Sequence, residues 1–283
     1  MIKIHKYPDG TKYPEVDLNN DKFVFKLFSY DDLWVLGQIL DTYNHNGINP
    51  TVIIPFLIDG QADRRFESNS SHNLKLVCKF LNSFKVKKYV IYHPHNPEVI
   101  EALLDNVQII DNSIFIKEVI NSLNWINQVD ELSIRHDMNS ILMSSDAGGF
   151  KPLMKLCDKI KWQGQTVSAS KSRTWDGESS KLVQFVSQTD FEGRDILIVD
   201  DICIYGGTFK GLSKILKERN CGKLYLAVSH MPIEFLGEDP VSNYFDKIFV
   251  TDSKYPSYSC AKGLDIYRIP NIEVINMQWE KCS

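Results

Sequence analysis

Two adjacent carboxylates at the end of an apolar run are the most informative feature of this sequence. The run begins at Asp195, ends in Asp200 and Asp201, and continues through a turn into Gly206-Gly207-Thr208. A helix that starts at these glycines offers free backbone N–H groups to an anion such as a phosphate. Because side chains alternate along a strand, one acid can face ribose hydroxyls or a hydrated Mg²⁺ while the other anchors the turn. A plainer alternative is that the paired acids only end a strand and cap a turn.

Other polar segments contain residue types that serve in binding and catalysis. A lone histidine such as His95 is more often structural than metal-binding. Asp146 and the glycines after it could form only a turn, although glycine also lets a backbone approach a sugar phosphate. Lys171 and Arg173, among serines and a threonine, would ordinarily lie in a solvated loop. The segments are Tyr7-Pro-Asp9-Gly10, Gln61-Ala-Asp63-Arg64-Arg65, His93-Pro-His95-Asn96, Ser144-Ser-Asp146-Ala-Gly-Gly149 and Lys171-Ser-Arg173.

Short β-rich runs alternate with amphipathic stretches along the chain, and this alternation predicts the elements that position the candidate residues. Such a pattern is typical of parallel sheets covered by helices, in which ligands bind at the carboxyl ends of the strands. The predicted strands are 23–28, 51–57, 89–92, 107–110, 141–144, 166–169, 182–187, 195–199, 223–228 and 247–250, and the predicted helices are 31–43, 73–84, 97–104, 115–126, 150–160 and 208–219.

Two helix ends carry their own signals. Ser29 can cap a helix that opens at Tyr30, and the acids that follow complement its positive end. In the later helix, Leu212, Ile215 and Leu216 fall on one face at spacings of three and four. Asn220 and Gly222 stand where a left-handed stop is expected to end it.

The domain organisation follows from length and from one polar segment. A chain of 283 residues is expected to form two packed units of roughly 100 to 200 residues each. Similar strand and helix alternation occurs on both sides of the polar segment 127–139. We therefore predict two α/β domains, 1–128 and 129–283.

Composition excludes several classes of protein. Lys plus Arg number 32 against 36 Asp plus Glu, without a run of like charges, which disfavours a general nucleic-acid binder. The longest apolar stretch, residues 52–58, is far shorter than the roughly 18 to 20 residues that cross a bilayer, and the amino terminus is too polar for a secretory signal. The six cysteines are scattered, which favours reduced thiols. We expect a cytoplasmic protein without nucleic-acid or membrane partners.

The segment from Asp195 to Thr208 resembles the phosphoribosyl-diphosphate-binding motif of type I phosphoribosyltransferases and ribose-phosphate diphosphokinases. The other polar segments resemble further motifs of the diphosphokinases in the same order, over nearly the whole chain. The resemblance implies two tandem type I phosphoribosyltransferase-like domains with parallel sheets flanked by helices. The first domain would bind the nucleotide and the second would carry the ribose-phosphate loop.

Residue roles also follow from this resemblance. The implied nucleotide-binding residues are Tyr7, Asp9, Gln61, Asp63, Arg64 and His95. The implied acceptor-binding residues are Asp146, Asp200, Asp201, Tyr205, Gly206, Gly207 and Thr208. His95 and Asp146 would hold Mg²⁺, and Lys171 and Arg173 would act in catalysis from a mobile loop.

The reaction implied by the resemblance joins ATP to a ribose phosphate. The anomeric hydroxyl of the sugar attacks the β-phosphorus of ATP, and AMP departs. Because negative charge builds on the bridging oxygen, catalysis would depend on Mg²⁺, on Lys171 and Arg173, and on exclusion of water by the loop. A homo-oligomer, dimer or hexamer, is also expected from the family.

The acceptor turn departs from the family pattern. Ile204 and Tyr205 replace an acid and a hydroxyl that would contact the sugar and its phosphate. Tyr205 could stack on an extended 5′-substituent, so ADP-ribose is slightly favoured over ribose 5-phosphate as the acceptor. Gln61-Ala62 and Thr11 also differ from the family, which alters the nucleotide contacts.

Two other functions stay open on the sequence alone. A phosphoribosyltransferase would use a preformed diphosphate sugar, but it would not explain the Asp63-Arg-Arg65 and Lys171-Ser-Arg173 segments. A catalytically silent relative would only scaffold active subunits, and it should have lost the charged loop.

Overall fold

A computed structural model describes residues 2–65, 67–130, 133–136, 139–175, 180–232, 239–254, 269 and 271–281. Side chains are described for the same residues except 126–136, 173–175 and 180–182. The chain forms two compact units, one reaching to Asp111 and taking in the segment from Met277, the other running from Asn112 to Asn276. No helix in the described ranges is long and apolar enough to cross a membrane.

The first unit begins with an antiparallel hairpin of strands β1 (Ile2–Lys6) and β2 (Lys12–Val16). Gly10 has φ +92° in its turn, a conformation that glycine adopts without a Cβ penalty. The rings of His5 and Tyr13 stack across the strands at 4.7 Å. The residues of both strands are exposed or half-buried and form no apolar run, so the sequence pattern did not predict this hairpin.

A four-stranded parallel sheet forms the centre of the first unit, in the order β3-β4-β5-β6. The apolar β4 and β5 strands are buried, as expected for a sheet covered on both faces. The elements are β3 (Lys22–Val24), α1 (Tyr30–His45), β4 (Thr51–Ile54), α2 (Asn73–Leu81), β5 (Lys88–Tyr92), α3 (Pro97–Leu103) and β6 (Val107–Ile110).

Ser29 caps α1 as predicted. Its side chain accepts from the backbone N–H of Asp32, and the Asp32 carboxylate accepts from the backbone N–H of Ser29 at 2.9 Å. This reciprocal pair satisfies two groups that a helix start leaves without intrahelical partners.

The second unit contains a seven-stranded sheet in the order β11-β10-β9-β12-β13-β14-β15, parallel except for the antiparallel pair β10 and β11. A short antiparallel hairpin precedes it. The elements are α4 (Ser113–Ser122), β7 (Ile126–Asp130), β8 (Ser133–His136), β9 (Ser140–Ser144), α5 (Phe150–Ile160), β10 (Gln165–Trp175), β11 (Ser180–Val186), β12 (Asp195–Ile202), α6 (Gly207–Glu218), β13 (Leu224–His230), β14 (Lys247–Thr251) and β15 (Ile272–Ile275).

The two units divide between Asp111 and Asn112, earlier in the chain than the predicted boundary at 128/129. Helix α4 contacts α5 and β13, and its apolar face is buried with the second unit. Trp125 continues this packing, because its ring lies 5.8 Å from that of Tyr225. The polar segment 127–139, near which the domain boundary was predicted, instead contains most of the β7–β8 hairpin.

The prediction of parallel sheets flanked by helices is confirmed in each unit. One local prediction was wrong. Lys171-Ser-Arg173 was expected in a loop, but β10 extends through it to Trp175 and pairs with β11. Cross-strand pairing, rather than burial of an apolar run, makes this polar segment a strand.

Candidate active site

The carboxyl ends of β9 and β12 bring the predicted acids of the second unit together. These strands are parallel neighbours, so their ends open onto the same edge of the sheet. Ser145, directly after β9, donates its hydroxyl hydrogen bond to the Asp200 carboxylate of β12. The backbone N–H of Asp201 donates to the same carboxylate at 2.8 Å. Asp200 is therefore the acid that anchors this strand end.

Burial raises the pKa of Asp200 to about 7, and the neighbouring charge of Asp201 acts in the same direction. The Ser145 hydrogen bond opposes this shift. Two adjacent carboxylates that repel each other gain stability from a cation or from hydroxyl donors. Oxygen donors of this kind fit the preference of Mg²⁺. Within the described ranges, however, no three His, Cys, Asp or Glu side chains converge to hold a metal by themselves.

The turn after β12 leads into an open helix start. Gly206 has φ +74°, and a Cβ at this position would lie 2.6 Å from the side chain of Val241. No side chain caps the start of α6, so the N–H groups that begin at Gly207 are available to an anion. The phosphate site at Gly206-Gly207-Thr208 stays a prediction, and this helix start is where the anion would bind. Tyr205 beside it is 82% exposed.

Asp146 is held by two contacts in the turn after β9. Its carboxylate accepts from the backbone N–H of Gly149 at 3.0 Å and lies 2.5 Å from the ammonium of Lys171. Burial raises the pKa of Asp146, but the contacts with Lys171 and Gly149 outweigh burial and leave that pKa below its ordinary value. The structure thus joins the predicted catalytic lysine to a predicted acceptor-binding acid.

Arg173 lies two residues further along β10, opposite Leu182 of β11. Its side chain lies outside the described part of the protein, so the structure gives its backbone position only.

In the first unit, the predicted nucleotide segments follow two neighbouring strands, β4 and β5. The Asn96 side chain donates to the carboxylate of Asp63 at 2.9 Å and also caps α3 by accepting from Val99. Gln61, Arg64 and His95 are exposed around this contact. Asp63 and the His93–Asn96 turn are therefore brought together at one edge of this sheet.

Tyr7 and Asp9 lie at the turn of the β1–β2 hairpin. The Asp9 carboxylate accepts from the backbone N–H of Thr11 at 2.9 Å, and this hydrogen bond lowers the pKa of Asp9. The turn thus gives Asp9 a structural role. Tyr7 is 54% exposed, with its ring 5.2 Å from that of Tyr13.

The predicted residues fall into two sets. The nucleotide-binding set, including His95, belongs to the first unit, whereas the acceptor-binding and catalytic set, including Asp146, belongs to the second. The two predicted Mg²⁺ ligands are therefore in different units.

Sequence reasoning missed three residues that position the site. Ser145 holds Asp200, Asn96 holds Asp63, and Gln184 on β11 donates to the backbone of Thr208 at 2.9 Å. Ser145 and Asn96 each stand directly beside a predicted site residue, which is the signal that could have identified them. Nothing in the local sequence marks Gln184, since its contact depends on how β11 packs against α6.

Comparison with known proteins defines the class first. A family model described as "Phosphoribosyl transferase domain" matches residues 100–254, more than half of the chain. The chain belongs to this family. The matched residues include β9, β12 and the turn before α6, where the acids and the open helix start lie.

Within that class, the chain is a divergent relative of the ribose-phosphate pyrophosphokinases. It is 22% identical over 257 residues to the enzyme of that name from Pyrococcus furiosus, covering 89% of this chain and 85% of the relative. The corresponding protein of Sulfolobus acidocaldarius is 25% identical over 265 residues, covering 90% and 86%.

A solved structure extends the likeness in fold. The crystal structure of phosphoribosylpyrophosphate synthetase from Mycobacterium smegmatis matches with a TM-score of 0.75 at 14% sequence identity. The match covers 98% of this chain and 86% of that one.

Proposed function

We propose that this protein is a Mg²⁺-dependent diphosphotransferase, which moves the β,γ-diphosphate of ATP to the anomeric hydroxyl of a ribose 5-phosphate-type acceptor and releases AMP. The proposal rests on one observation, made at the carboxyl edge of the seven-stranded sheet in the second unit. There, Asp200 and Asp201, the open start of α6 and the Lys171–Asp146 ion pair occur in one unit. The curated relatives named above are ribose-phosphate pyrophosphokinases, which supports the same reaction.

The acceptor would bind at the turn before α6. The free N–H groups at Gly207 and Thr208 suit a 5′-phosphate, because they point along the helix axis and carry its positive end. Asp201 would accept hydrogen bonds from the ribose hydroxyls, while Asp200 keeps the strand end in place.

Lys171 and Arg173 would stabilise the transferring diphosphate. In the structure the Lys171 ammonium neutralises Asp146, and its side chain is 44% exposed, so a bound polyphosphate can compete for it. Charge on the bridging oxygen grows during transfer, and fixed cations stabilise that charge more than they stabilise the ground state. Mg²⁺ would neutralise the phosphate oxygens, and Asp146 is its proposed ligand in the second unit.

The nucleotide would bind to the first unit. Asp63 and the turn containing His95 are held together by Asn96, and the exposed Arg64 and Gln61 lie in the same segment. Tyr7 and Asp9 at the hairpin turn would also contact the nucleotide. The protein would act as a homo-oligomer.

We propose ADP-ribose as the preferred acceptor. Tyr205 and Ile204 are 82% and 42% exposed, and neither provides the acid or small hydroxyl that a compact phosphate pocket would use. An exposed aromatic ring beside the phosphate site can stack on a nucleoside attached through the 5′-diphosphate. Ribose 5-phosphate is the second candidate, and it is supported by the names of the curated relatives.

The test is to incubate the protein with ATP and Mg²⁺ plus either acceptor and to measure AMP by chromatography. We expect AMP with ADP-ribose and less with ribose 5-phosphate. AMP with ribose 5-phosphate alone would overturn the acceptor preference but keep the reaction. AMP with neither acceptor would overturn the reaction and leave a phosphoribosyltransferase or a silent relative.

A further inference from the structure

Gln184 on β11 lies directly opposite Lys171 on β10 in the antiparallel register. Residues directly opposite each other project from the same face of a sheet. The next such pair, Ala169 and Val186, is buried in the core cluster that also contains Phe209 of α6. Lys171 and Gln184 therefore project from the face of the hairpin that packs on α6.

The amide of Gln184 fits against the first turns of α6. Its Nε2 donates to the backbone carbonyl of Thr208 at 2.9 Å. Gly211 provides the space beside it, because a Cβ at Gly211 would lie 2.2 Å from the Gln184 Oε1 and 3.3 Å from its Cδ. This contact joins the strand opposite Lys171 to the helix start that offers its N–H groups to an anion.

The base of the hairpin has a separate attachment. Arg219, just after the last turn of α6, donates to the carbonyl of Gln188 at 2.5 Å and to that of Val186. Of the four β11 side chains that the structure describes, residues 183–186, Gln184 is the polar one, and Val183 and Phe185 are exposed on the other face. Gln184 is thus the described polar side chain that attaches the outer part of β11 to α6.

We propose that Gln184 is a positioning residue for diphosphate transfer. Its amide holds the β10–β11 hairpin against the start of α6 and so sets the distance between Lys171 and an anion bound there. The role rests on the function proposed above, in which Lys171 stabilises the transferring diphosphate. A catalytic cation misplaced by 1 Å can cost about 100-fold in rate, whereas substrate contacts made elsewhere are unchanged.

The test uses the full-length protein with three variants: Gln184→Ala, Gly211→Ala and the double variant. Each single change should lower kcat about 10-fold or more and leave KM for ATP and for the acceptor within about 3-fold. Gly211→Ala removes no functional group and favours the helix, so its effect would come from displacing the amide. In the double variant the Gln184 amide is absent and the added methyl has room. The kcat of the double variant should therefore be no lower than that of Gln184→Ala alone.

Val183→Ala is the matched control, since this side chain is on the exposed face of the same strand, and its kcat should stay within about 2-fold of wild type. Hydrogen exchange of the β10–β11 amides provides a readout that needs no activity, and exchange should be faster in Gln184→Ala than in wild type or the control. Unchanged kcat and exchange in both single variants, or additive losses in the double variant, would overturn the positioning role. An inactive wild type with faster exchange in Gln184→Ala would overturn the proposed reaction but retain the attachment of the hairpin.

Discussion

Replacing Lys171 with alanine tests whether the charge of this side chain serves catalysis or stability. The Lys171 side chain is 44% exposed, and its ammonium lies 2.5 Å from the carboxylate of Asp146, whose side chain is 22% exposed. Solvent-exposed ion pairs contribute about 0 to 1 kcal/mol to the free energy of unfolding, and we expect this partly exposed pair to fall near the upper end of that range. In a unit of this size, that corresponds to a fall in Tm of about 4 °C at most.

The expected effect on turnover is much larger. Removing one preorganised contact to transition-state charge costs about 2.7 to 4 kcal/mol, which corresponds to about 100- to 1000-fold in kcat. Nucleotide binding should stay within a few-fold, because the charge is needed chiefly in the transition state. The assay is AMP release at saturating ATP and acceptor, together with a nucleotide binding titration and a thermal melt.

Lys155→Ala is the control, since Lys155 is an exposed lysine on α5, in the same unit. It should leave kcat and Tm near wild type. Loss of nucleotide affinity equal to the loss of kcat in Lys171→Ala would refute the reasoning, because the charge would then act equally on the ground state. A Tm fall well beyond about 4 °C would instead assign Lys171 a structural role.

Three further substitutions test the proposed acceptor site at the end of β12 and in the turn before α6. Asp200→Asn should reduce the pH dependence of stability in the absence of ligands. The raised pKa of Asp200 stabilises the fold below the ordinary Asp pKa, and this contribution is lost as pH rises to about 7. The free energy of unfolding of the wild type should therefore fall more than that of the variant between pH 5 and 8. Gly206→Ala, which adds strain at φ +74° and a contact with Val241, should lower stability by about 1 to 3 kcal/mol in denaturant unfolding and raise KM for the acceptor. Tyr205→Ala should raise KM for ADP-ribose while leaving KM for ribose 5-phosphate unchanged, as measured by AMP release.

Each of these predictions has an outcome that contradicts it. Parallel pH profiles for wild type and Asp200→Asn would show that this carboxyl does not titrate between pH 5 and 8. Gly207→Ala is the stability control for Gly206→Ala, because a Cβ at Gly207 meets no neighbouring atom within 4 Å, and equal losses of stability in the two would argue against the Val241 contact. Equal changes in KM for both acceptors in Tyr205→Ala would remove the basis for an extended acceptor.

The strand, turn and helix around the paired acids were predictable because their signals are local. Helix α6 begins at Gly207, one residue from the prediction, and its Leu212 and Leu216 are buried as the periodicity indicates. Asn220 has φ +56°, which confirms the predicted left-handed stop at that residue, whereas Gly222 does not have a positive φ. Each of these features is decided by neighbours within a few positions along the chain.

The β10–β11 and β1–β2 hairpins were not predictable in the same way. The β10 strand passes through Lys171-Ser-Arg173, where no apolar alternation marks a strand. This part of β10 is a strand because it pairs with β11 over residues 169–175, beyond residues 165–168, which pair with β9. The β1–β2 hairpin has the same origin, since none of its strand residues is fully buried and burial therefore stabilises it little.

The amino-acid sequence by itself determined which acids end β12, where helix α6 starts and which kinds of chemistry those groups could perform. Only the tertiary structure decided which partners hold them. Ser145 reaches Asp200 across 55 positions, and Gln184 reaches Thr208 across 24. Such contacts depend on the order of strands in the sheet and on the packing of α6 against β11, and a chain read residue by residue contains no local signal for either.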